Sequence, residues 1–383
     1  MKTFCGYFNE GICRSCDLIT MDYPAQIKVK EEKLSDALKD SEHPPLLPTV
    51  VSPPTHFRNK AKLVVTGTAA NPVIGLWGTE NLDSGRELLN CPLHLERINQ
   101  IFPSLKNFIT LANLSPYNIS EKKGELKGLI LFHSETTNET YLRFILRSKE
   151  SIDRIKKHQE VLLRRHPDIK TISVNIQPVP HAILEGEEEI FITQKKSVQH
   201  KAGEVVFSIR PQGFVQTNQL VAEKLYQTAA TWVQEEGLKN FMELFCGQGA
   251  FSFFAAPVIS WGLGIEINPQ AVEEASEICK NSGISHLSFK CLDAGKTGEE
   301  IKSFQPDVIL VNPPRRGIAE AADLLLEAKA KAVIYSSCNY LSLKEDLKKL
   351  SKIYRVEKVQ IFDMFPHTSH FETLVLLKLN GAG

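Results

Sequence analysis

The carboxyl half of the sequence predicts an α/β fold, a Rossmann-like parallel sheet with helices on both faces. Three observations carry this. From about residue 203 short apolar strands alternate with helical stretches. The strands are nearly continuous in apolar residues, as strands buried on both faces are. The first of them, NFMEL, runs through the glycine turn FCGQG into a helix.

NFMEL covers residues 240–244 and WGLGIEI, at 261–267, reads as the second strand. NPQAVEEASEICKNSG between them and the next strand is a helix with Asn268 as its cap and Pro269 in its first turn. LSFKCLD, DVILVNPP and AKAVIYSSC supply three more strands. Ahead of this half the pattern is α+β: AKLVVTG, GLILFHS, TYLRFILRS and TISVNIQ alternate as strands do, and Ser151 to His166 has helical periodicity. Residues 41–57 hold five prolines, which favour extended backbone. The expected division is therefore 1–53, a cysteine-bearing segment with an extended linker; 54–202, a central α+β domain; and 203–383, the α/β domain. There is no internal repeat.

Composition narrows the partners. Lys+Arg and Asp+Glu both total 45, so no global field draws the chain to nucleic acid. Local patches remain: residues 141–170 hold nine Lys or Arg against four Asp or Glu. No apolar run approaches the roughly 18 residues of a membrane span, so a cytoplasmic protein with no membrane partner is expected. Four residues ahead of Cys5 are too few for a signal peptide's apolar core. Eight cysteines in 383 residues are too sparse for a disulfide scaffold, and the cluster CGYFNEGICRSC at 5–16 reads better as metal ligation in a reducing compartment.

In open α/β sheets ligands bind beyond the carboxyl ends of the strands. Those ends are Phe245 to Gly249, Glu266, Asp293, Asn312 to Arg316 and Ser336 to Asn339. The turn has Gly247 and Gly249 but lacks the third glycine of a dinucleotide fingerprint. Glu266 ends the second strand, where it suits two ribose hydroxyls, the arrangement of S-adenosylmethionine (SAM) enzymes. VNPPRRG then offers the Asn312 side chain and a backbone carbonyl to a base. In amine methyltransferases an aromatic residue follows this motif; here Arg315 does, and methylation of an exocyclic amine stays as an alternative. Cys338, delivered by the fifth strand, argues for different chemistry. Carbon 5 of a pyrimidine is a poor nucleophile until a thiolate adds at carbon 6, whereas amine methylation needs no thiolate.

Taken together, CGYFNEGICRSC, FRNKAK, CPL, RPQGFVQTN, ELFCGQGAF, GIEI, VNPPRRGI, YSSCN and DMFPHTSHFE resemble, in order and over nearly the whole chain, the iron–sulfur RNA 5-methyluridine methyltransferases. Within that family NPPRRG is most similar to the group acting on uridine 747 of 23S rRNA. The resemblance implies a SAM-dependent enzyme with Cys338 as nucleophile and Glu372 as the base that removes the carbon-5 proton. It implies SAM binding by Gln216, Phe245, Glu266 and Asn312. Cys5, Cys13, Cys16 and Cys91 would hold a [4Fe-4S] cluster; the four thiolates by themselves leave zinc open. Because the spacing lacks the CxxxCxxC of radical enzymes, the cluster is expected to clamp structure rather than carry electrons. Asp363 is a candidate for orienting the uracil and Asp293 for the adenine amine, while His367 and His370 receive no chemistry. The RNA partner, 23S rRNA, is expected on the central domain, with Arg58, Lys60 and Lys62 among its contacts, and no obligate protein partner is implied. Action on uridine 54 of tRNA, or a non-catalytic iron–sulfur RNA-binding role, are the alternatives.

Overall fold

The computed structural model of the chain describes residues 2–39, 42–78, 84–179, 185–319 and 321–381. The elements run α1 (Gly6–Asn9), α2 (Tyr23–Leu38), β1 (Leu47–Val50), β2 (Lys60–Gly67), β3 (Pro72–Trp77), β4 (Gly85–Glu87), α3 (Glu96–Leu111), β5 (Leu126–Ser134), β6 (Glu139–Leu146), α4 (Ile152–Arg165), β7 (Ile169–Ile176), β8 (Glu188–Phe191), β9 (Val198–Ala202) and β10 (Val205–Ile209). They continue with α5 (Gln219–Glu235), β11 (Asn240–Leu244), α6 (Ala250–Ala255), β12 (Trp261–Glu266), α7 (Pro269–Ser282), β13 (Leu287–Cys291), α8 (Gly298–Phe304), β14 (Val308–Val311), α9 (Ala321–Ala328), β15 (Ala332–Ser337), α10 (Tyr340–Leu350), β16 (Tyr354–Phe362) and β17 (Glu372–Leu379). Two compact units result. The first holds Met1–Cys16, Pro53–Lys201 and Ser208–Thr217; the second holds Asp17–Ser52, Ala202–Phe207 and Asn218–Gly383.

The first unit is built on a seven-stranded sheet in the order β4-β3-β2-β5-β6-β7-β8. Its pairs are antiparallel except β6 with β7, which α4 joins as a crossover. Helices α3 and α4 bury Ile98, Phe102, Leu105, Ile155 and Leu162 against Leu129, Leu131, Phe144 and Val174 of the strands. Pro103 lies inside α3, so this helix lacks the plain signal that marks α4.

The second unit carries an eight-stranded sheet, β1-β16-β17-β15-β14-β11-β12-β13. β11 to β15 are mutually parallel, with the direction of winding reversing between β11 and β14. Their apolar residues, Met242, Leu244, Ile309, Val311 and Val333, form the core. The parallel sheet expected from the five strands is present, and two further strands make the whole sheet mixed: β17 runs antiparallel to both β15 and β16. The cause is the short link 363–371, since a parallel return needs a crossover of roughly a dozen residues or more.

The stretch expected to be a linker is also more ordered than its prolines suggest. Asp22 caps α2 by accepting from the Ala25 N–H at 2.8 Å, and β1 pairs with β16 at the sheet edge. Leu34 and Leu38 of α2 join the core, but the same face buries Gln26 and Lys30. Two polar residues on the inward stripe hide the amphipathic pattern from sequence. Elsewhere the cap read from sequence is present, the Asn268 side chain accepting from Gln270 N–H at 3.0 Å, and the structure adds Gly283, which ends α7 at φ 67°. Among the described residues no helix is long and apolar enough to cross a membrane.

Candidate active site

At the carboxyl end of β11 the chain turns sharply. Phe245 has φ 61° and Gly247 has φ 55°, both in the left-handed region that costs an L side chain energy. A Cβ on Gly249 would stand 2.5 Å from the Phe289 ring, so only glycine fits there, while the space beyond Gly247 is open. Glu266, at the end of β12, fastens this turn. One carboxylate oxygen accepts from Gly247 N–H and the other from Asn268 N–H, both at 2.9 Å. Asn312 follows β14, and its N–H donates to the Leu244 carbonyl at 3.4 Å. Phe245, Glu266 and Asn312 thus share one sheet end, with a glycine cradle and a fixed carboxylate that fit a nucleoside such as SAM. Beneath them Glu243 is buried and accepts from Ser252 N–H at 2.9 Å. Burial pushes its carboxyl up to about 8 against the Ser252 bonds, which lower it.

The neighbouring strand ends bring Cys338 and Glu372 to the same end of the sheet. β15 delivers Cys338 one residue after Ser337; β17 starts at Glu372, and Ser337 pairs with Thr373. The antiparallel course of β17, unforeseen in the sequence, is what places its first residue here. Glu372 is only 4% exposed, and burial pushes its carboxyl up to about 8, with Arg315 pulling the other way. Burial likewise pushes the Cys338 thiol up; Glu372 adds to that, and Arg315 opposes it. The sequence marks Arg315 only as the lack of an aromatic residue; in the structure its charge opposes the upward shift of both groups. A half-buried thiol and a buried carboxyl, both pushed up by burial, thus stand at one end of the sheet.

Other candidates fall elsewhere. Asp363 is fully buried and both its oxygens are taken: Lys30 Nζ donates to one at 2.5 Å and Tyr23 Oη to the other at 2.6 Å. It anchors α2, so its assignment to uracil orientation is corrected. His367 is buried, with Gln26 Nε2 at 3.1 Å from its Nδ1, while His370 is exposed. Asp293 is exposed and caps a short turn by accepting from Gly295 N–H at 3.0 Å. Gln216 belongs to the first unit, where its carbonyl accepts from Asn59 Nδ2 at 3.1 Å.

The four cysteines named for a cluster also lie in the first unit, and none is in a disulfide. Tyr7 ties them: its hydroxyl accepts from Asn90 N–H at 3.0 Å beside Cys91, and its carbonyl accepts from Cys13 N–H at 3.1 Å. Arg86 adds a bond to the Gly11 carbonyl at 3.2 Å. Burial pushes the Cys91 thiol up, and the charges of Cys5 and Cys13 add to that; Arg58 senses both Cys91 and Cys16. Among the described residues no three His, Cys, Asp or Glu side chains converge on a single ion. A four-iron cluster makes a different demand, one thiolate per iron, and four free thiols in one electrostatic neighbourhood fit it.

The basic stretch 141–170 is less available than its charge count suggests. Arg143 is buried against Glu189 and Glu185, and Arg147 pairs with Glu125. Lys62 pairs with Glu185 at 2.7 Å, and burial pushes Lys60 down to about 8. The exposed cations that remain are Lys156, Lys157, Arg164 and Arg165 on α4, and Lys170 after it.

Comparison with known proteins agrees with this geometry. A profile of the tRNA (Uracil-5-)-methyltransferase family matches residues 183–380. The chain is 41% identical over 377 residues to the 23S rRNA (uracil(747)-C(5))-methyltransferase RlmC of Proteus mirabilis strain HI4320, across 98% of this chain and 99% of that one. It is 40% identical over 385 residues to the protein of the same name from Haemophilus influenzae strain 86-028NP, across 98% of each. Among solved structures, the Pyrococcus abyssi tRNA (uracil-54, C5)-methyltransferase in complex with S-adenosyl-L-homocysteine superposes with a TM-score of 0.79 at 22% identity, over 96% of this chain and 86% of that one. That likeness shows the methyltransferase fold, and the sequence likeness shows the rest: the chain belongs to the tRNA (uracil-5-)-methyltransferase family and is a SAM-dependent RNA uracil-C5-methyltransferase.

Proposed function

We propose that the target is a uridine of 23S rRNA, the equivalent of uridine 747, methylated through a covalent adduct with Cys338. The observation that carries the chemistry is the meeting of a strand-end cysteine with a buried glutamate beside Asn312. The choice of RNA rests on the near full-length likeness to proteins of that name.

The uridine must leave its stack to reach the sheet end. Cys338, as thiolate, adds to carbon 6 and forms the C–S bond; the electrons of the C5=C6 bond move through the carbonyl to oxygen 4. Carbon 5 then takes the methyl group that SAM supplies, the sulfonium keeping the electron pair of the broken S–CH3 bond. Glu372 takes the carbon-5 proton, the C5=C6 bond reforms, and the sulfur departs with the C–S pair, which restores the thiolate. We assign SAM to Phe245, Glu266 and Asn312, and keep Gln216 with them on the resemblance alone. Glu266 suits the ribose, and its carboxylate already organises the turn that the ligand meets.

Cys5, Cys13, Cys16 and Cys91 are assigned to a [4Fe-4S] cluster, which when bound supplies a covalent tie between the amino-terminal loop and the segment at Cys91. RNA binding is assigned to the exposed cations of α4, which hold phosphate without specifying sequence. An rRNA substrate puts the enzyme in the cytoplasm. Mass mapping of 5-methyluridine in 23S rRNA and tRNA from a strain lacking the gene tests the target. Loss confined to the 747 position is expected; loss at tRNA uridine 54 with rRNA intact would move the activity to tRNA.

A further inference from the structure

We propose that Asp17, Gln26 and Lys30 are positioning residues for the base: they hold the link 363–371 that delivers Glu372, and so set how fast the adduct releases. The proposal rests on the role given above to Glu372. The link closes a pair, because Phe362 at the end of β16 lies opposite Glu372 at the start of β17. Between the two the backbone leaves the sheet, and its polar groups need other partners.

Those partners come from residues 17–50 of the same unit, at every second position. Asp363 N–H donates to the Val50 carbonyl at 2.9 Å, and the Phe365 carbonyl accepts from Lys30 Nζ at 3.1 Å. His367 N–H donates to Gln26 Oε1 at 2.9 Å, and its carbonyl accepts from Leu18 N–H at 3.0 Å. Ser369 N–H donates to Asp17 Oδ1 at 2.9 Å. Gln26 is 1% exposed and its amide is fully engaged: Nε2 lies 3.1 Å from His367 Nδ1 and donates to the Met21 carbonyl at 3.0 Å.

His367 has φ 66°, a left-handed backbone that persists in a residue with a side chain only where the surroundings over-determine it. Two bonds to Gln26 and one to Leu18 do so. Joining two antiparallel strands needs no more than a short relaxed turn, whereas this link takes a strained path gripped from outside the sheet. At its far end Phe371, 3% exposed, stacks on Tyr340 with ring centroids 5.5 Å apart and planes at 12°. Tyr340 opens α10 two residues after Cys338. The residue before the base is thus packed on the element that follows the nucleophile. Proton removal depends steeply on where the carboxylate stands, and a displacement of about 1 Å costs about a hundredfold. Addition and methyl transfer do not use the base, so a loosened link should spare them.

The lifetime of the adduct tests this. The anaerobically purified full chain is mixed with methyl-labelled SAM and unmodified 23S rRNA or tRNA, whichever the parent enzyme methylates, and quenched over time. Label in RNA reads methyl transfer, and the band surviving denaturing electrophoresis reads release. Asp17 is exposed, so Asp17→Ala should fold; it should release the adduct about tenfold more slowly, with SAM affinity and first-turnover methyl transfer unchanged. Asp17→Asn keeps an oxygen for Ser369 N–H and should restore release. Gln26→Met, of similar length but without the amide, should slow release further; should it not fold, the Asp17 pair decides. Release at the parent rate would overturn the proposal, and so would an equal loss of methyl transfer and release, the pattern of a unit that is merely less stable. Failure of the base assignment looks different, as Glu372→Gln releasing its adduct at the parent rate.

Discussion

With Cys338 proposed as nucleophile and Glu372 as base, removing each should fail in a different way, and that difference checks the proposed roles. Cys338→Ala should bind RNA and SAM yet give neither methyl transfer nor adduct. Glu372→Gln should still add and accept the methyl group, then stall, so RNA accumulates as a band resistant to denaturing electrophoresis and S-adenosylhomocysteine stops at about one equivalent. In the parent enzyme the base works only when ionised. With its carboxyl raised to about 8, adduct release should climb as pH rises towards 8 and level off above it. Release independent of pH between 6 and 9 would sink the assignment. Cys338 can be proposed from sequence because carbon-5 chemistry demands a thiolate, and the structure places it at the carboxyl end of β15. Glu372 is proposed only through family likeness, since nothing local separates it from a surface glutamate; its burial comes from strands far away in the chain. Asp363 shows the opposite error, an acidic residue near the site that is spent on Lys30 and Tyr23.

Among the elements, β11 carries an unusual burden: Glu243 sits inside it, 1% exposed, under the glycine turn. Its carboxyl stands at about 8 in the folded chain against 4.5 for an ordinary glutamate. Between those values the folded state holds a proton that the unfolded chain has lost, so stability falls as pH rises from about 4.5 through 8. Glu243→Gln removes this dependence while keeping an oxygen for Ser252. Its melting temperature relative to the parent should therefore rise between pH 5 and pH 9, each kcal/mol showing as about 2–4 °C in a unit of this size. A gap that stays constant with pH would show that Glu243 is ionised throughout. The strands β11 to β15 and the start of α7 were readable because their signals are local: continuous apolar runs, Asn268 and Pro269. The helix α2 and the direction of β17 were not. Lys30 makes sense on a buried face only once Asp363 is known to face it, and a strand's direction is set by its link and partners rather than by its own residues.

For the whole molecule, the cysteine quartet makes the strongest claim. Protein purified without oxygen should be brown, with about four iron and four sulfide per chain if the cluster is as assigned. Cys91→Ser should lose the colour and lower the melting temperature of the first unit, because the tie to residues 5–16 goes with it. One zinc per chain and no visible absorption would overturn the cluster. Three cysteines in twelve positions suggest metal ligation from sequence alone, whereas Cys91 is an ordinary residue in sequence, linked to their loop by Tyr7 and Arg86. The pairing of β1 with β16 has a further effect, on the order of events as the chain is made. Val50 meets Phe362, roughly 300 residues later, while β11 to β15 pair with near neighbours. Closing so long a loop is slow as well as entropically costly. At about 5–20 residues per second a ribosome needs roughly 15–60 s to supply the partner strand. Through that interval Leu34 and Leu38 lack Val359 and Ile361, late residues that share their core in the finished unit.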